Sequence, residues 1–274
     1  MRSDKELLEE ARSGDGAAVD ELLARHERQI FRYGLRMCGN EEDAREVLQE
    51  TLLAAFQKVK TFRGDAQLST WLYQIARHFC LRSRRRAVGE PERVEPLERG
   101  EAAAVPSGQA QPDAQAHARE IGALLQSAIL TLSEPHREAL ILRDVEGLSA
   151  EEAAKVLGIE VSALKSRLHR ARMEMRARLV DVLGPSGTPR EMAPCPDLAD
   201  ELAAYAGEDI DQATCARIED HLQRCRRCAA SCDALKRTVS LCRQIPGGEV
   251  PAAVRAEVRK ALVARRLPRS DGPG

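Results

Sequence analysis

Between residues 4 and 86 apolar positions recur every three to four residues, the period that turns one face of an α-helix towards a core. The stretch NEEDAREVLQETLLAAFQKV, residues 40–59, shows it best. Ala44, Leu48, Leu52, Ala55 and Val59 form one stripe, and Asn40 is placed to cap the helix. Glu41, Glu42 and Asp43 fall in the first turn, where the helix dipole favours negative charge. The opposite side carries Asp43, Glu46, Glu50, Leu53 and Gln57. A leucine among outward-facing acids leaves two readings open: a solvated face with one stray apolar residue, or a face that docks another protein.

The period lapses over residues 87–116 (AVGEPERVEPLERGEAAAVPSGQAQPDAQA), which are rich in Pro, Gly, Ala and Glu and read as a linker. It resumes over 117–183, gives way to a second linker, GPSGTPREMAP at 184–194, and is followed by a Cys-rich stretch at 195–245. Residues 246–274 read as a basic tail that opens with a short amphipathic helix, VPAAVRAEVRKALVARRL. Aromatic residues are only 3% of the chain, too few for a large sandwich core, so the expected class is all-α, with cores of Leu, Ala and Val. Nothing approaches the roughly 18 uninterrupted apolar residues of a spanning helix, and MRSDKELLEE has no apolar signal core, which predicts a cytoplasmic protein without a membrane partner. The net charge of −1 conceals segregation: residues 77–86 hold five arginines and no acid, while 41–50 hold five acids and one arginine. Two partners of different charge follow, one of them anionic.

The stretch LSAEEAAKVLGIEVSALKSRLHRARMEMRARL, residues 148–179, reads as a helix-turn-helix. Ser149 and Glu152 form a capping box, Ala153, Ala154 and Leu157 face inward, and Gly158 suits the left-handed position that ends a helix. Ser162 is placed to cap a second helix with the apolar line Leu164, Leu168, Ala171, Met175 and Leu179. Opposite that line stand Ala163, Ser166 and Arg170, flanked by Arg167 and His169: short or cationic side chains suited to a major groove. Residues 161–180 carry six Lys/Arg against one Glu, a phosphate-binding balance.

Six of the eight cysteines lie after residue 194. In a reducing compartment such a cluster points to metal or redox chemistry before structural disulfides, whereas Cys38 and Cys80, within helical patterns, read as small core residues. A zinc deaminase would need Glu two residues after its His and then Pro-Cys-x2-Cys, but Gln223 follows His221 and Arg224 precedes Cys225. No Gly-rich phosphate loop or nucleophile elbow is visible either, so the chain is not expected to be an enzyme.

The motifs together resemble a known family. LSEPHREALILRDVEGLSAEEAAKVLGIEVSALKSRLHRARMEMRARL resembles region 4, and EEDAREVLQETLLAAFQKVKTFRGDAQLSTWLYQIARHFCLRSRRR region 2, of sigma-70 factors of the extracytoplasmic function (ECF) group. The resemblance implies two helical sigma domains, 1–86 and 117–183, binding RNA polymerase core and promoter DNA. By position it places Asp43, Glu46, Gln49, Glu50 and Leu53 on the surface that docks the β′ clamp helices. It places Arg63, Ser69, Thr70, Trp71, Arg84 and Arg85 at the minus-10 element, and Ser162, Lys165, Ser166, Arg167, His169 and Arg170 at the minus-35 element. A helix-turn-helix repressor is the competing reading, but it would not need residues 40–86.

The segment HLQRCRRC carries His-x3-Cys-x2-Cys and resembles the small zinc-finger-like domain of anti-sigma factors, here fused to the sigma domains. His221, Cys225 and Cys228 converge locally, and Cys195 or Cys215 can supply a fourth ligand. With Cys232 the series runs Cys-x19-Cys-x9-Cys-x2-Cys-x3-Cys and resembles the Cys-rich domain of metal-responsive members of the group, implying zinc, cadmium or copper as cofactor. A structural zinc or a thiol redox switch remain alternatives to metal sensing.

Overall fold

The protein is described by a computed structural model covering residues 2–62, 64, 67–89, 112–179, 195–207, 210, 212–245 and 249–264. Among the described residues every regular element is helical, as the period and composition require. The chain divides into two compact units, Met1–Pro106 with Gly247–Gly274, and Ser107–Pro246.

The first unit contains α1 (Asp4–Arg12), α2 (Gly16–Cys38), α3 (Glu41–Lys58) with a 3₁₀ turn at Val59–Thr61, and α4 (Leu68–Gly89). Its helix starts follow local chemistry. Ser3 and Glu6 form a capping box on α1, Asp15 Oδ1 accepts from the Ala17 amide at 2.8 Å, and Asn40 Oδ1 accepts from the Asp43 amide at 2.8 Å. The stripe read from sequence in α3 is buried at every position, against α2 and α4. Tyr33 and Tyr73 meet edge to face across that core, with ring centroids 5.4 Å apart.

The same unit also holds the helix nearest the C-terminus, α12 (Ala252–Ala264), which lies against α3. Val250, Val254, Val258 and Leu262, four residues apart, are its buried line. Arg45 donates to Glu257 at 2.7 Å, and Arg255 stands 3.5 Å from Glu27 of α2. An exposed pair such as Arg45–Glu257 contributes about 0–1 kcal/mol. Each buried aliphatic side chain contributes roughly 1.5–3 kcal/mol before ordering costs. The apolar line therefore holds α12 in place.

In the second unit, α5 (Pro112–Thr131) and α6 (Glu134–Leu140) lead into a π turn at Ile141–Val145, then α7 (Ala150–Leu157) and α8 (Val161–Arg178). The Ser149–Glu152 capping box is formed, and Gly158 takes φ 67° at the end of α7, a conformation that costs an L side chain. The expected cap of α8 is corrected. Glu160, in extended conformation, is the N-cap residue and its carbonyl accepts from the Leu164 amide at 3.0 Å, so Ser162 already lies inside the first turn. The turn after Gly158 is too short to leave Ser162 outside the helix.

A 3₁₀ turn at Pro196–Leu198 and three helices, α9 (Ala199–Ala206), α10 (Gln212–Arg224) and α11 (Arg226–Gln244), complete this unit. Leu202, Ile218, Cys228 and Cys232 make their shared core. On another side, Ala203, Ala206 and Leu235 pack with Met173 of α8. Cys80 is a buried core residue as expected, and Cys38 is half-buried.

Candidate functional site

Three surfaces carry the candidate residues. On α3, Glu46 is exposed and Asp43, Gln49 and Glu50 are half-buried, but Leu53 is only 4% exposed. At about 100° per residue, Leu53 lies roughly 160° round the helix from Ala55 and about 80° from Arg45. It is therefore on the side of the residue that pairs with α12, not on the side of the α2–α4 core. The stray leucine has a partner within its own chain. The neighbouring acids touch α4: Ser83 donates to Asp43 Oδ1 at 2.7 Å, and Arg82 stands 3.9 Å from Glu46.

At the start of α4, Ser69 is half-buried and Trp71 stacks on Phe62 with centroids 4.9 Å apart. Thr70, expected at the DNA, is 1% exposed and belongs to the core. Arg84 is half-buried, while Arg63 and the side chain of Arg85 lie outside the described residues.

On α8, Ser162, Lys165, Ser166 and Arg170 are exposed, and Arg167 and His169 are half-buried. The line Leu164, Leu168, Ala171, Met175 and Leu179 is buried. Two of the cations counted in the phosphate balance face elsewhere. Arg172 is 1% exposed and forks onto Asp144 of the π turn at 2.8 and 2.6 Å, while its Nη1 donates to the Ala203 carbonyl at 2.7 Å. Arg176 donates to Ser231 Oγ at 2.8 Å. Sequence reasoning missed this contact because a buried arginine in a basic helix has no signature of its own.

The third surface is the junction of α10 and α11. The Sγ atoms of Cys195, Cys225 and Cys228 and a ring nitrogen of His221 all lie within 4.8 Å of one another. His221 lies in the last turn of α10, its carbonyl accepts from the Cys225 amide at 2.9 Å, and Cys225 is the N-cap residue of α11. Cys195 is brought in from the segment before α9, where its amide donates to Cys228 Sγ at 3.4 Å. His221 Nε2 is buried without a hydrogen-bond partner among the described residues. The Cys228 amide, helped by the neighbouring Cys228, His221 and Cys195 side chains, holds the Cys225 thiol down to about 6. Burial pushes Cys228 up to about 11.

This donor set fits a metal ion: three thiols and one imidazole, whose Nε2 has no hydrogen-bond partner among the described residues. A tetrahedral zinc with bonds of roughly 2.3 Å needs ligand atoms about 3.7 Å apart, a contraction of only about 1 Å from the widest separation here. Two other expected ligands do not join the group. Cys215 is six residues before His221 on α10, roughly 9 Å along the axis and on another face, and its thiol donates to Glu219 at 3.5 Å. Cys232, one turn beyond Cys228, is buried among Leu202 and Ile218.

Comparison with known proteins covers the stretches that carry the first two surfaces. Residues 22–89 match the model of Sigma-70 region 2 and residues 122–175 that of Sigma-70, region 4. The ECF RNA polymerase sigma factor SigM of Mycobacterium tuberculosis is 36% identical over 184 residues, 67% of this chain and 86% of SigM. The RNA polymerase sigma-H factor of Pseudomonas aeruginosa is 33% identical over 63% of this chain and 91% of its own length. A solved structure of the sigma factor RpoE in complex with the anti-sigma factor NepR from Bartonella quintana is 26% identical with TM-score 0.46, over 61% of this chain and 98% of that one.

The chain belongs to the ECF group of the sigma-70 family. It is a transcription initiation factor without enzymatic chemistry, a partner of RNA polymerase core and promoter DNA. A repressor reading, which leaves region 2 without a use, finds no support. Among the described residues no helix is long and apolar enough to cross a membrane.

Proposed function

We propose that this sigma factor docks the β′ clamp helices through the outer side of α3, engages the minus-10 element through α4 and reads the minus-35 element through α8. We propose further that a thiophilic metal ion in the Cys-rich module controls it in cis. The metal reading rests on one observation, the gathering of Cys195, His221, Cys225 and Cys228 within 4.8 Å. Three soft thiolates and an imidazole suit zinc, cadmium or copper(I), and four protein ligands leave no open position for a substrate. A bound ion would crosslink α10, α11 and the segment before α9.

The packing of α12 on α3 supports a route for control. Its Glu257 pairs with Arg45, about 80° round α3 from Leu53, so in this reading α12 and polymerase compete for one face. Moving such a balance from 1:99 to 99:1 takes roughly 5.5 kcal/mol of differential binding, within the roughly 10–16 kcal/mol of structural zinc sites.

The test is run-off transcription with core polymerase and reduced, metal-free full-length protein, adding zinc, cadmium, copper(I) or copper(II) separately. One thiophilic ion should change transcript yield on the order of tenfold, and Cys225→Ser with Cys228→Ser should remove the response. Yield indifferent to every ion refutes metal control. Yield that instead follows peroxide or diamide makes the same thiols a redox switch.

A further inference from the structure

Helix α8 meets two different surroundings along its length. Ser166 and Arg170, nearer its start, are open to solvent, whereas Arg172, Met173 and Arg176, nearer its end, face the Cys-rich module. We infer that Arg172 ties the metal site to the recognition helix, so that the module braces region 4 in proportion to its metal loading and leaves the DNA-reading side free. The inference rests on the metal-binding reading above.

The path is short and buried throughout. Cys228 is both a candidate ligand and a core residue beside Leu202. The residue after Leu202, Ala203, presents the carbonyl that takes Arg172 Nη1 at 2.7 Å. One turn beyond Cys228 stands Ser231, fully buried, the acceptor of Arg176. Each step is a contact between groups with no room to slide, which is how interiors transmit displacement.

Gly207 closes the clamp. Its carbonyl accepts from Arg143 at 3.2 Å, and a Cβ built on it would stand 2.2–2.5 Å from the Arg172 guanidinium. That guanidinium cannot swing aside, because Asp144 holds it on one edge and Ala203 on the other. Position 207 therefore admits no side chain while the module is docked. Arg172 and Arg176 lie some 120–160° round the helix from Arg170, at about 100° per residue, while Met173, only about 20° round from Ser166, stands seven residues and roughly 10 Å further along the axis, and Ser166 and Arg170 remain exposed.

Hydrogen exchange of the α8 amides in the reduced full chain, with zinc alone as probe, tests this. In the wild type, zinc should slow α8 exchange on the order of tenfold, within the usual range of site-to-site coupling. Gly207→Val should take up zinc stoichiometrically yet lose that slowing. Ser231→Ala, a milder change that keeps the fold should Gly207→Val not, should shrink it. Zinc uptake without any change in α8 exchange overturns the brace and leaves the metal site standing. No zinc uptake overturns both. Variants protected as fully as the wild type remove Arg172 and its neighbours from the path.

Discussion

Helices α3 and α8 are both amphipathic, both project charge from the side away from their cores, and both are touched by the C-terminal third of the chain. They are touched differently. On α3 the added helix packs along the helix and engages Arg45, about 80° round from the buried Leu53. On α8 the module takes a flank through Arg172 and Arg176 and leaves Ser166 and Arg170 in solvent. On the function proposed above, one covering element would compete with a partner, and the other would support the surface a partner uses. An appended domain is therefore not an inhibitor merely because it makes contact; the face it chooses decides.

The largest effect should come from dislodging α12. Val254→Asp with Val258→Asp places two carboxylates in its buried line, and burial of an unpaired charge costs several kcal/mol. Core-polymerase affinity should rise on the order of tenfold to a hundredfold, one decade per roughly 1.4 kcal/mol. Unchanged affinity in a direct binding assay would mean that the side of α3 under α12 is not the docking face.

Arg172→Ala should come next. It leaves Asp144 buried and unpaired, a loss of about 3–5 kcal/mol, read as lower melting of the unit formed by region 4 and the module. Asp144→Leu with Arg172→Met should recover much of that loss while still disconnecting Ala203. Failure of the double variant to recover would show that the Ala203 contact outweighs the ion pair.

Arg170→Ala sharpens the comparison from the open side. It should cost about 1–3 kcal/mol in binding a minus-35 duplex and leave melting unaltered, since Arg170 is exposed. A melting change equal to that of Arg172→Ala would erase the distinction between the two sides of α8.

The smallest effect concerns Glu27. Burial raises its carboxyl pKa, against the opposing pull of Arg255 and Arg259 on α12. A carboxyl whose pKa is higher in the folded form keeps its proton there after the unfolded chain has lost it. The stability of this unit should thus fall as pH rises from the ordinary carboxylate range through the raised value. Melting of Glu27→Gln should be flat over the same window, and a slope identical to wild type would locate the titration elsewhere.

The elements were legible in the sequence wherever their causes were local. The α3 stripe, the Asn40 cap, the Ser149–Glu152 box, the Gly158 turn and the α8 core line each depend on neighbours within about a turn. The convergence of His221, Cys225 and Cys228 is local too, since a helix end and the next helix start place them. The choice of Cys195 over Cys215 is not, because it depends on where the segment before α9 comes to rest. The same holds for Arg45, whose partner Glu257 comes about two hundred positions later, and for Arg172, which composition counts as a phosphate ligand and packing turns inward. Ser162 failed as a cap for a local reason that patterning cannot resolve: which residue of a two-residue turn is the last extended one.

The clamp on region 4 is built, on the module's side, mostly from backbone: Ala203 O, Gly207 O and the bare Cα of Gly207, with the Ser231 hydroxyl as its one side-chain acceptor among these contacts. Backbone is supplied by any sequence that folds the same way, whereas the three arginines on the other side are not. For grafting, this makes the module the portable half. A recipient sigma factor would have to carry arginines at the positions of 143, 172 and 176 and an acid at 144, while the donated module would have to keep Ser231, the glycine after α9 and the packed residues Leu202, Ala203 and Ala206.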